Sequence, residues 1–341
     1  MKVIYKFIIL FVICFLLFFT DLFLGSVYIS FNEFLDIFFN SSETSEHLKT
    51  IFYNFRLPKA ITASIVGMAL AVSGLQMQVI FRNPLAGPYV LGISSGAGLG
   101  VALVILGLSS FVSIEIFSAL SNWSIIIAAW IGAGIVLLLI LVISIRIKDI
   151  MTLLILGIMF GAVSSAIVSI LQYFSEQSLL KSYVVWTMGS LGNITSSELT
   201  IMAASVFVGL LIVVFLLKNL NVLLIGETYA KSLGVNIKTT RILIFISTSI
   251  LAGSVTAFCG PIAFVGIVIP HIARMFFKTA DHKILFLAVI LFGIILMLIS
   301  DIIAHLPGSD KILPINSVTA LLGIPIVIWI VVKNHKFKLS V

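Results

Sequence analysis

The sequence predicts an all-α, polytopic membrane protein with about ten transmembrane helices, and three observations carry this prediction. Of the 341 residues, 61% are hydrophobic and the mean hydropathy is +1.27. Only 10% are charged. Soluble domains are about half apolar and one-quarter charged, so much of this chain's surface is expected to face lipid. The third observation is a series of apolar runs close to the roughly 20 residues that cross a bilayer.

The runs follow one another along the whole chain, separated by charged clusters or by glycine and proline. They cover residues 3–24, 57–81, 89–108, 123–145, 151–173, 199–217, 242–258, 262–277, 284–304 and 315–332, the eighth being short. The first run has two lysines at its start, Lys2 and Lys6, as a signal peptide would. Its apolar core exceeds the usual stretch of about 7–15 residues and no small-x-small cleavage pattern follows, so we interpret it as a retained helix.

Basic residues are distributed unevenly among the loops. With ten crossings and a cytoplasmic N-terminus, 15 of the 20 Lys and Arg residues fall on the cytoplasmic side. Because cytoplasmic loops are enriched in Lys and Arg, both termini are predicted to be cytoplasmic. The same distribution explains the net charge of +7 without a nucleic-acid partner. Cys14 and Cys259 lie in apolar runs without CxxC spacing, which indicates packing and neither a zinc site nor a disulfide.

Glycine and proline interrupt the apolar pattern at corresponding places in two halves of the chain, at residues 83–100 and 260–270. Paired breaks are typical of an internal repeat with broken helices along a translocation path. The overlapping GxxxG spacings of Gly92, Gly96 and Gly100 also indicate close helix packing, the interpretation that we favour from the sequence.

Patterns of catalytic chemistry are missing from the sequence: it has no HExxH, no GxSxG, no P-loop and no paired intramembrane carboxylates. The five histidines fall at predicted helix ends or loops without metal-ligand spacing. An ion-coupled transporter is expected to hold acidic or histidine side chains deep in its helices. The nearest candidate is Asp301, which we interpret as a helix-end residue in contact with lipid head groups. A pore that is powered by a partner is therefore favoured over an intramembrane enzyme.

A set of motifs in order along nearly the whole chain resembles the permease subunits of bacterial ABC importers for iron-siderophore complexes, haem and cobalamin. The motifs occupy residues 56–59, 67–74, 82–86, 91–98, 186–191, 226–227, 233–235, 260–274, 313–314 and 322–325. The resemblance implies the type II importer fold, with ten helices in a single permease domain over residues 1–341. Its halves would be residues 1–173 and 174–341, and residues 218–241 would form a cytoplasmic coupling loop.

The resemblance also implies partners and cargo. It implies two permease copies, two cytoplasmic ATPase subunits, one extracytoplasmic binding protein and a location in the bacterial inner membrane. ATP and Mg would be used by the ATPase, and this chain would bind no cofactor or metal and have no catalytic site. The expected cargo is a ferric siderophore, with haem or cobalamin as alternatives. The competing interpretation is a self-powered secondary transporter or channel, whose uptake would not need an ATPase.

The resemblance assigns four groups of site residues, each by position in a motif. ATPase coupling is assigned to Gly226, Glu227, Ser232, Leu233 and Gly234 in the coupling loop. The gate is assigned to Asn83, Pro84 and Leu85 and to Ile150, Met151 and Thr152, where the family often has small hydroxyl residues. Docking of the binding protein is assigned to Arg56, Lys59, His305 and Lys311; a histidine in place of the family's arginine predicts a pH-dependent contact. The pore wall is assigned to Gly157, Gly161, Ser164 and Ser165.

Overall fold

A computed structural model describes residues 2–25, 31–38, 46–107, 122–147, 149–305 and 312–338. Every regular element within these ranges is helical. The helices are α1 (Lys2–Phe23), α2 (Phe31–Phe38), α3 (Glu46–Ile51), α4 (Leu57–Ile80), α5 (Ile93–Ala102), α6 (Asn122–Arg146), α7 (Ile150–Phe174), α8 (Gln177–Thr187), α9 (Ser196–Leu223), α10 (Glu227–Ser232), α11 (Ile237–Cys259), α12 (Val265–Phe277), α13 (His282–Ala304) and α14 (Ile315–Lys338).

The ten predicted runs all correspond to helices. Seven helical stretches in the described ranges are long and apolar enough to cross a membrane, and three shorter apolar helices lie at 93–107, 265–277 and 315–330. The prediction of an all-α membrane protein with about ten crossings is therefore confirmed.

The predicted loops contain helices that the hydropathy pattern does not reveal. Helix α3 continues through a π-helical turn at Phe52–Arg56 into α4, so the second crossing begins well before Pro58. The sequence pattern predicts that this helix begins next to Pro58, because proline is common in the first turn of a helix. Proline lacks only its own backbone N–H, so a helical turn before Pro58 is equally compatible with it. Helix α8 likewise occupies part of the predicted loop 175–198.

Helix α4 lies at the centre of the bundle and packs against α11, α12 and α13. It is buried along most of its length, so its neighbours are protein rather than lipid. A Cβ on Gly67 would overlap the backbone of Gly293 on α13, and a Cβ on Gly74 would overlap the backbone of Gly266 on α12. Apolar side chains gain little by leaving lipid, so close backbone packing at small residues is what holds these helices together.

A second close contact joins α5 to α6. A Cβ on Gly96 would lie 2.6 Å from the carbonyl oxygen of Gly132, and one on Gly100 would overlap Ala128. The packing interpretation of the GxxxG spacing is therefore confirmed at these two positions. The chain also breaks at both predicted interruptions, between α4 and α5 and between α11 and α12.

Candidate functional site

One cavity of about 810 Å³ opens where α4, α11 and α13 reach the same end of the bundle. Arg56 and Lys59 reach it from the start of α4, Asp301 and His305 from the end of α13, and Glu198 from the start of α9. Apolar and small residues complete the wall, among them Ile125, Phe258, Trp186, Met188, Gly189, Ser190 and Ile315. We call this space the charged cavity.

A buried ion pair lies at its edge. Lys59 Nζ lies 2.8 Å from Asp301 Oδ2, and the two side chains are only 9% and 1% exposed. His305 Nδ1 lies 3.2 Å from the other carboxylate oxygen of Asp301. Burying a charge is costly unless an opposite charge accompanies it, so the Lys59 ammonium accounts for a carboxylate in this position. The interpretation of Asp301 as a residue in contact with lipid head groups was wrong, because protein surrounds it.

Arg56 is held by the neighbouring helix α1. Its Nη1 donates hydrogen bonds to the carbonyl oxygens of Leu22 and Phe23, at 2.8 and 2.7 Å. These carbonyls end α1 and have no partner within the helix, so a cation is favoured there. Arg56 and Lys59 are thus both buried and both partnered within this chain. Their assignment to docking stays a prediction, as does that of His305; Lys311 lies outside the described residues.

Glu198 contributes a second buried carboxylate to the cavity. Its Oε2 accepts a hydrogen bond from the backbone N–H of Thr195 at 2.8 Å, and its own N–H donates to Thr195 Oγ1 at 3.4 Å. This reciprocal capping box begins α9. Glu198 was not among the expected site residues, although the Thr-x-x-Glu spacing marks it in the sequence.

The opposite end of α9 and α11 carries the second candidate site, residues 224–236, which we call the link segment. Gly226, with φ +130°, and Gly234, with φ +82°, lie on either side of α10 in backbone conformations that favour glycine. Between them α10 is anchored by Ala230, which is fully buried. Glu227 Oε1 lies 3.2 Å from Arg241 Nη2 at the start of α11. The predicted coupling loop 218–241 is therefore shorter than expected, because α9 and α11 extend into it.

Exposed apolar side chains distinguish the link segment from an ordinary loop. Leu224, Ile225, Tyr229 and Leu233 all expose about half or more of their surface, and Ser232 is also exposed. Large exposed apolar side chains grouped in a segment too short and polar to cross a bilayer are suited to contact with another protein.

The two predicted gate segments are turns at helix ends. Asn83 Oδ1 accepts a hydrogen bond from the N–H of Leu85 at 2.9 Å, which folds the turn after α4, and Pro84 and Leu85 are exposed. Asp149 begins α7: its Oδ2 accepts from the N–H of Thr152 at 2.9 Å and from its hydroxyl at 2.6 Å. These hydrogen bonds hold the pKa of Asp149 below its usual value. Met151 is exposed and Ile150 half-buried, so their role as a gate stays a prediction.

Gly157 and Gly161, two of the residues assigned to the pore wall, both have close neighbours in the same chain, and their assignment stays a prediction. A Cβ on Gly157 would overlap the carbonyl oxygen of Val90, and one on Gly161 would lie 3.2 Å from Ser95 Oγ. Both glycines therefore face α5 and the turn before it within the same chain. Ser164 is also buried, whereas Ser165 on α7 is exposed.

Helices α7 and α14 each have a face of exposed apolar side chains. On α14, Leu321, Ile324, Ile328 and Val332 recur at helical spacing. On α7 the exposed face includes Ile155, Met159, Val163, Ile167 and Ile170. Within a membrane, such faces are suited to lipid or to another transmembrane helix.

Comparison with known proteins identifies this arrangement as that of an ABC transporter permease. A solved structure described as an inward-facing conformation of an ABC transporter, provisionally of the metal-chelate type, matches with a TM-score of 0.84. The two chains are 29% identical, and the match covers 96% of this chain and 99% of the other.

The profile of the FecCD transport family matches residues 11–333, and the chain belongs to that family. A protein of Methanocaldococcus jannaschii, provisionally named an ABC transporter permease, is 34% identical over 96% of this chain and 97% of its own length. The vitamin B12 import system permease protein BtuC of Salmonella paratyphi A is 36% identical over 83% of this chain and 84% of its own length. The family resemblance predicted from the motifs is thus confirmed, and the chain is a multi-pass inner-membrane permease of the ABC importer class.

Proposed function

We propose that this chain is the membrane-spanning subunit of an ATP-driven importer for a large metal chelate, with a ferric siderophore as the first candidate cargo. The match to the FecCD family over residues 11–333 is the observation that carries the proposal. Relatives are named for vitamin B12 import and for metal-chelate transport. Ferric siderophores, haem and cobalamin share one chemical character, a metal ion enclosed by an organic chelator.

In the proposed assembly, two copies of the chain meet through the exposed faces of α7 and α14 and enclose the pathway. The excess of Lys and Arg in one set of loops supports a cytoplasmic position for both termini. The link segment then lies in the cytoplasm and the charged cavity at the extracytoplasmic end. An extracytoplasmic binding protein delivers the cargo at that end, where its carboxylates meet the cavity that Arg56, Lys59 and His305 line.

Two ATPase subunits supply the energy by binding the link segments. The exposed Leu224, Ile225, Tyr229 and Leu233 give each ATPase an apolar contact, and Glu227 adds a charge. ATP and Mg belong to the ATPase, and this chain holds no cofactor of its own. Closure of the ATPase pair around ATP would move the link segment and, with it, α9 and α11, a rigid-body change that opens or closes the pathway.

ATP-dependent uptake in a deletion strain tests this proposal, with the gene present or absent and with labelled ferric siderophores, haem and cobalamin in parallel. We expect one cargo to be lost with the gene and restored with it, and vanadate to abolish its uptake. Uptake that persists without any ATPase, or that an uncoupler stops at once, would favour a self-powered secondary transporter or channel instead.

Charge reversal at Glu227 tests the coupling. Glu227→Arg should abolish uptake, because it places a second positive charge beside Arg241 and removes the carboxylate from the proposed ATPase contact. The matched control is the double variant Glu227→Arg with Arg241→Glu, which restores the internal ion pair but not the carboxylate at position 227. Full recovery in the double variant would limit Glu227 to a structural role, whereas continued loss supports its contact with the ATPase.

A further inference from the structure

The most distinctive feature of the charged cavity is that its best-placed cation is already neutralised. Lys59 is predicted to meet a carboxylate of the binding protein, yet its Nζ lies 2.8 Å from the carboxylate of Asp301 in the same chain. A partner's carboxylate would therefore have to compete with Asp301 for Lys59.

We propose that the Lys59–Asp301 ion pair is a latch that closes the docking site, and that a carboxylate of the binding protein opens it by replacing Asp301 at Lys59. This inference rests on the proposed docking function of the cavity and adds its regulation. The latch ties the start of α4 to the end of α13, so its exchange would link the arrival of the binding protein to the relative position of these two helices.

The geometry suits an exchangeable contact. Lys59 Nζ lies 2.8 Å from Asp301 Oδ2, and the Asp301 carboxyl also has hydrogen bonds with the side chains of His305 and of Asp21 on α1, so Asp301 keeps polar neighbours if Lys59 moves away. A lysine ammonium is a compact charge on a flexible stem and can turn from one carboxylate to another without a fixed planar geometry. Both side chains line the cavity, which gives an incoming side chain access to the pair.

His305 is proposed to stabilise Asp301 when the latch is open. Its Nδ1 lies 3.2 Å from Asp301 Oδ1 and 3.1 Å from the backbone oxygen of the same residue. When Lys59 leaves, Asp301 loses the ammonium that compensates its burial, and the side chains of His305 and Asp21 are the polar groups that stay in contact with it. In this proposal His305 positions and compensates Asp301 and does not itself touch the binding protein.

The first test measures the affinity of the importer in nanodiscs for the binding protein that supports uptake. Asp301→Asn removes the carboxylate that is paired with Lys59, and we expect binding to tighten at least about fivefold and to depend more steeply on salt. Lys59→Met should weaken binding, and adding Asp301→Asn to Lys59→Met should give no gain. The matched control is Glu198→Gln, which removes another buried carboxylate from the same cavity and keeps its capping oxygen; we expect it to change the affinity less than Asp301→Asn does.

These outcomes distinguish a failure of the latch proposal from a failure of the docking function on which it rests. If Lys59→Met weakens binding while Asp301→Asn does not tighten it, docking stands and the latch is wrong. Equal tightening by Asp301→Asn and Glu198→Gln also overturns the latch, because any lost negative charge would then suffice. If neither Lys59→Met nor Arg56→Gln changes the affinity, docking at this cavity is wrong and the latch falls with it.

His305→Ala separates positioning from direct contact. The latch requires His305→Ala to weaken binding in the wild-type background and to have no effect when Asp301 is already asparagine. Equal weakening in both backgrounds would place His305 in direct contact with the partner and overturn its part in the latch.

A measurement on the wild-type protein keeps the proposal testable if Asp301→Asn fails to fold. Structures of the importer with and without its docked binding protein should show Lys59 Nζ beside Asp301 when free and beside a partner carboxylate when docked. An unchanged Lys59–Asp301 distance in the docked complex would overturn the latch.

Discussion

Asp281 shows how a single side chain fastens two helices at the link-segment end of the bundle. Its Oδ1 accepts hydrogen bonds from the N–H of Lys283 at 3.0 Å and from Asn221 Nδ2 at 2.8 Å. Asn221 Oδ1 in turn accepts from the backbone N–H of His282 at 2.7 Å. The end of α9 is thereby joined to the start of α13. These hydrogen bonds to the charged carboxylate lower the pKa of Asp281 below its usual value.

We expect Asp281→Ala to destabilise the protein by about 1 kcal/mol, the typical effect of losing a helix cap. Asp281→Asn keeps a capping oxygen and serves as the control, with a smaller loss. Thermal unfolding of both variants in detergent measures the difference. An Ala variant as stable as wild type would show that the cap contributes nothing.

The same carboxylate predicts a dependence on pH. The pKa of Asp281 is lower in the folded protein than in the unfolded chain, so its carboxylate stabilises the fold at any pH above the pKa in the unfolded chain. This contribution is lost as the pH falls through the pKa in the folded protein. The unfolding temperature of wild type should therefore fall below about pH 4, and part of this fall should be missing in Asp281→Ala. Identical pH profiles of the two proteins would contradict this expectation.

At this scale the sequence predicts residue types better than their partners. The motif places Arg56 and Lys59 at a helix start, but it cannot show that Lys59 is paired with Asp301, about 240 residues later in the chain. The sequence leaves the neighbours of Gly157 and Gly161 undetermined for a related reason. A small residue can face a lumen or a neighbouring helix, and only the position of α5 decides between them.

At the scale of elements, close helix contacts respond to a single methyl group. Gly74→Ala forces α4 away from the backbone of Gly266 on α12, and we expect a loss of about 1–3 kcal/mol. Gly134→Ala on α6 is the matched control, because nothing lies within 4 Å of its added Cβ. The control should be neutral or slightly stabilising, since alanine favours the helix. Equal unfolding temperatures for the two variants would contradict the packing argument.

The short helix α10 gives a second expectation at this scale. Tyr229→Ala should weaken binding of the ATPase at least about tenfold, since exposed aromatic side chains often dominate an interface. Lys231→Ala, also exposed on α10, is the control and should change binding little. Pull-down or interferometry with the partner ATPase measures both. An unaffected Tyr229→Ala variant, or an equal loss in the control, would argue against an apolar contact at Tyr229.

The whole molecule is expected to act as a pair, and cysteine cross-linking tests which face joins the copies. Leu321 on α14 is 74% exposed and Phe215 on α9 is 82% exposed. Leu321→Cys should give a disulfide-linked dimer on oxidation, whereas Phe215→Cys, which we expect to face lipid, should not. The native Cys14 and Cys259 are buried and provide little background. Cross-linking through Phe215→Cys alone would assign the interface to α9 instead.

Most of the architecture follows from hydropathy, because a membrane helix must be apolar whatever it contacts. The ten runs therefore correspond to helices, with errors mainly at their ends, as where α3 runs on into α4. Hydropathy says little about which helix lies inside. Helix α4 is enclosed by protein and α7 is largely exposed, although both are strongly apolar.

The distance in sequence between Lys59 and Asp301 has a consequence for biosynthesis. At roughly 5–20 residues per second, between about 10 and 50 s separate the synthesis of the two residues. During that interval α4 has entered the membrane without the helices that will enclose it, and Lys59 has no carboxylate from α13. A newly made chain must therefore keep α4 near the lipid surface, or shielded by the insertion machinery, until α13 arrives. Nascent chains that end before α13 should accordingly be recognised as incomplete and degraded faster than chains that end after it.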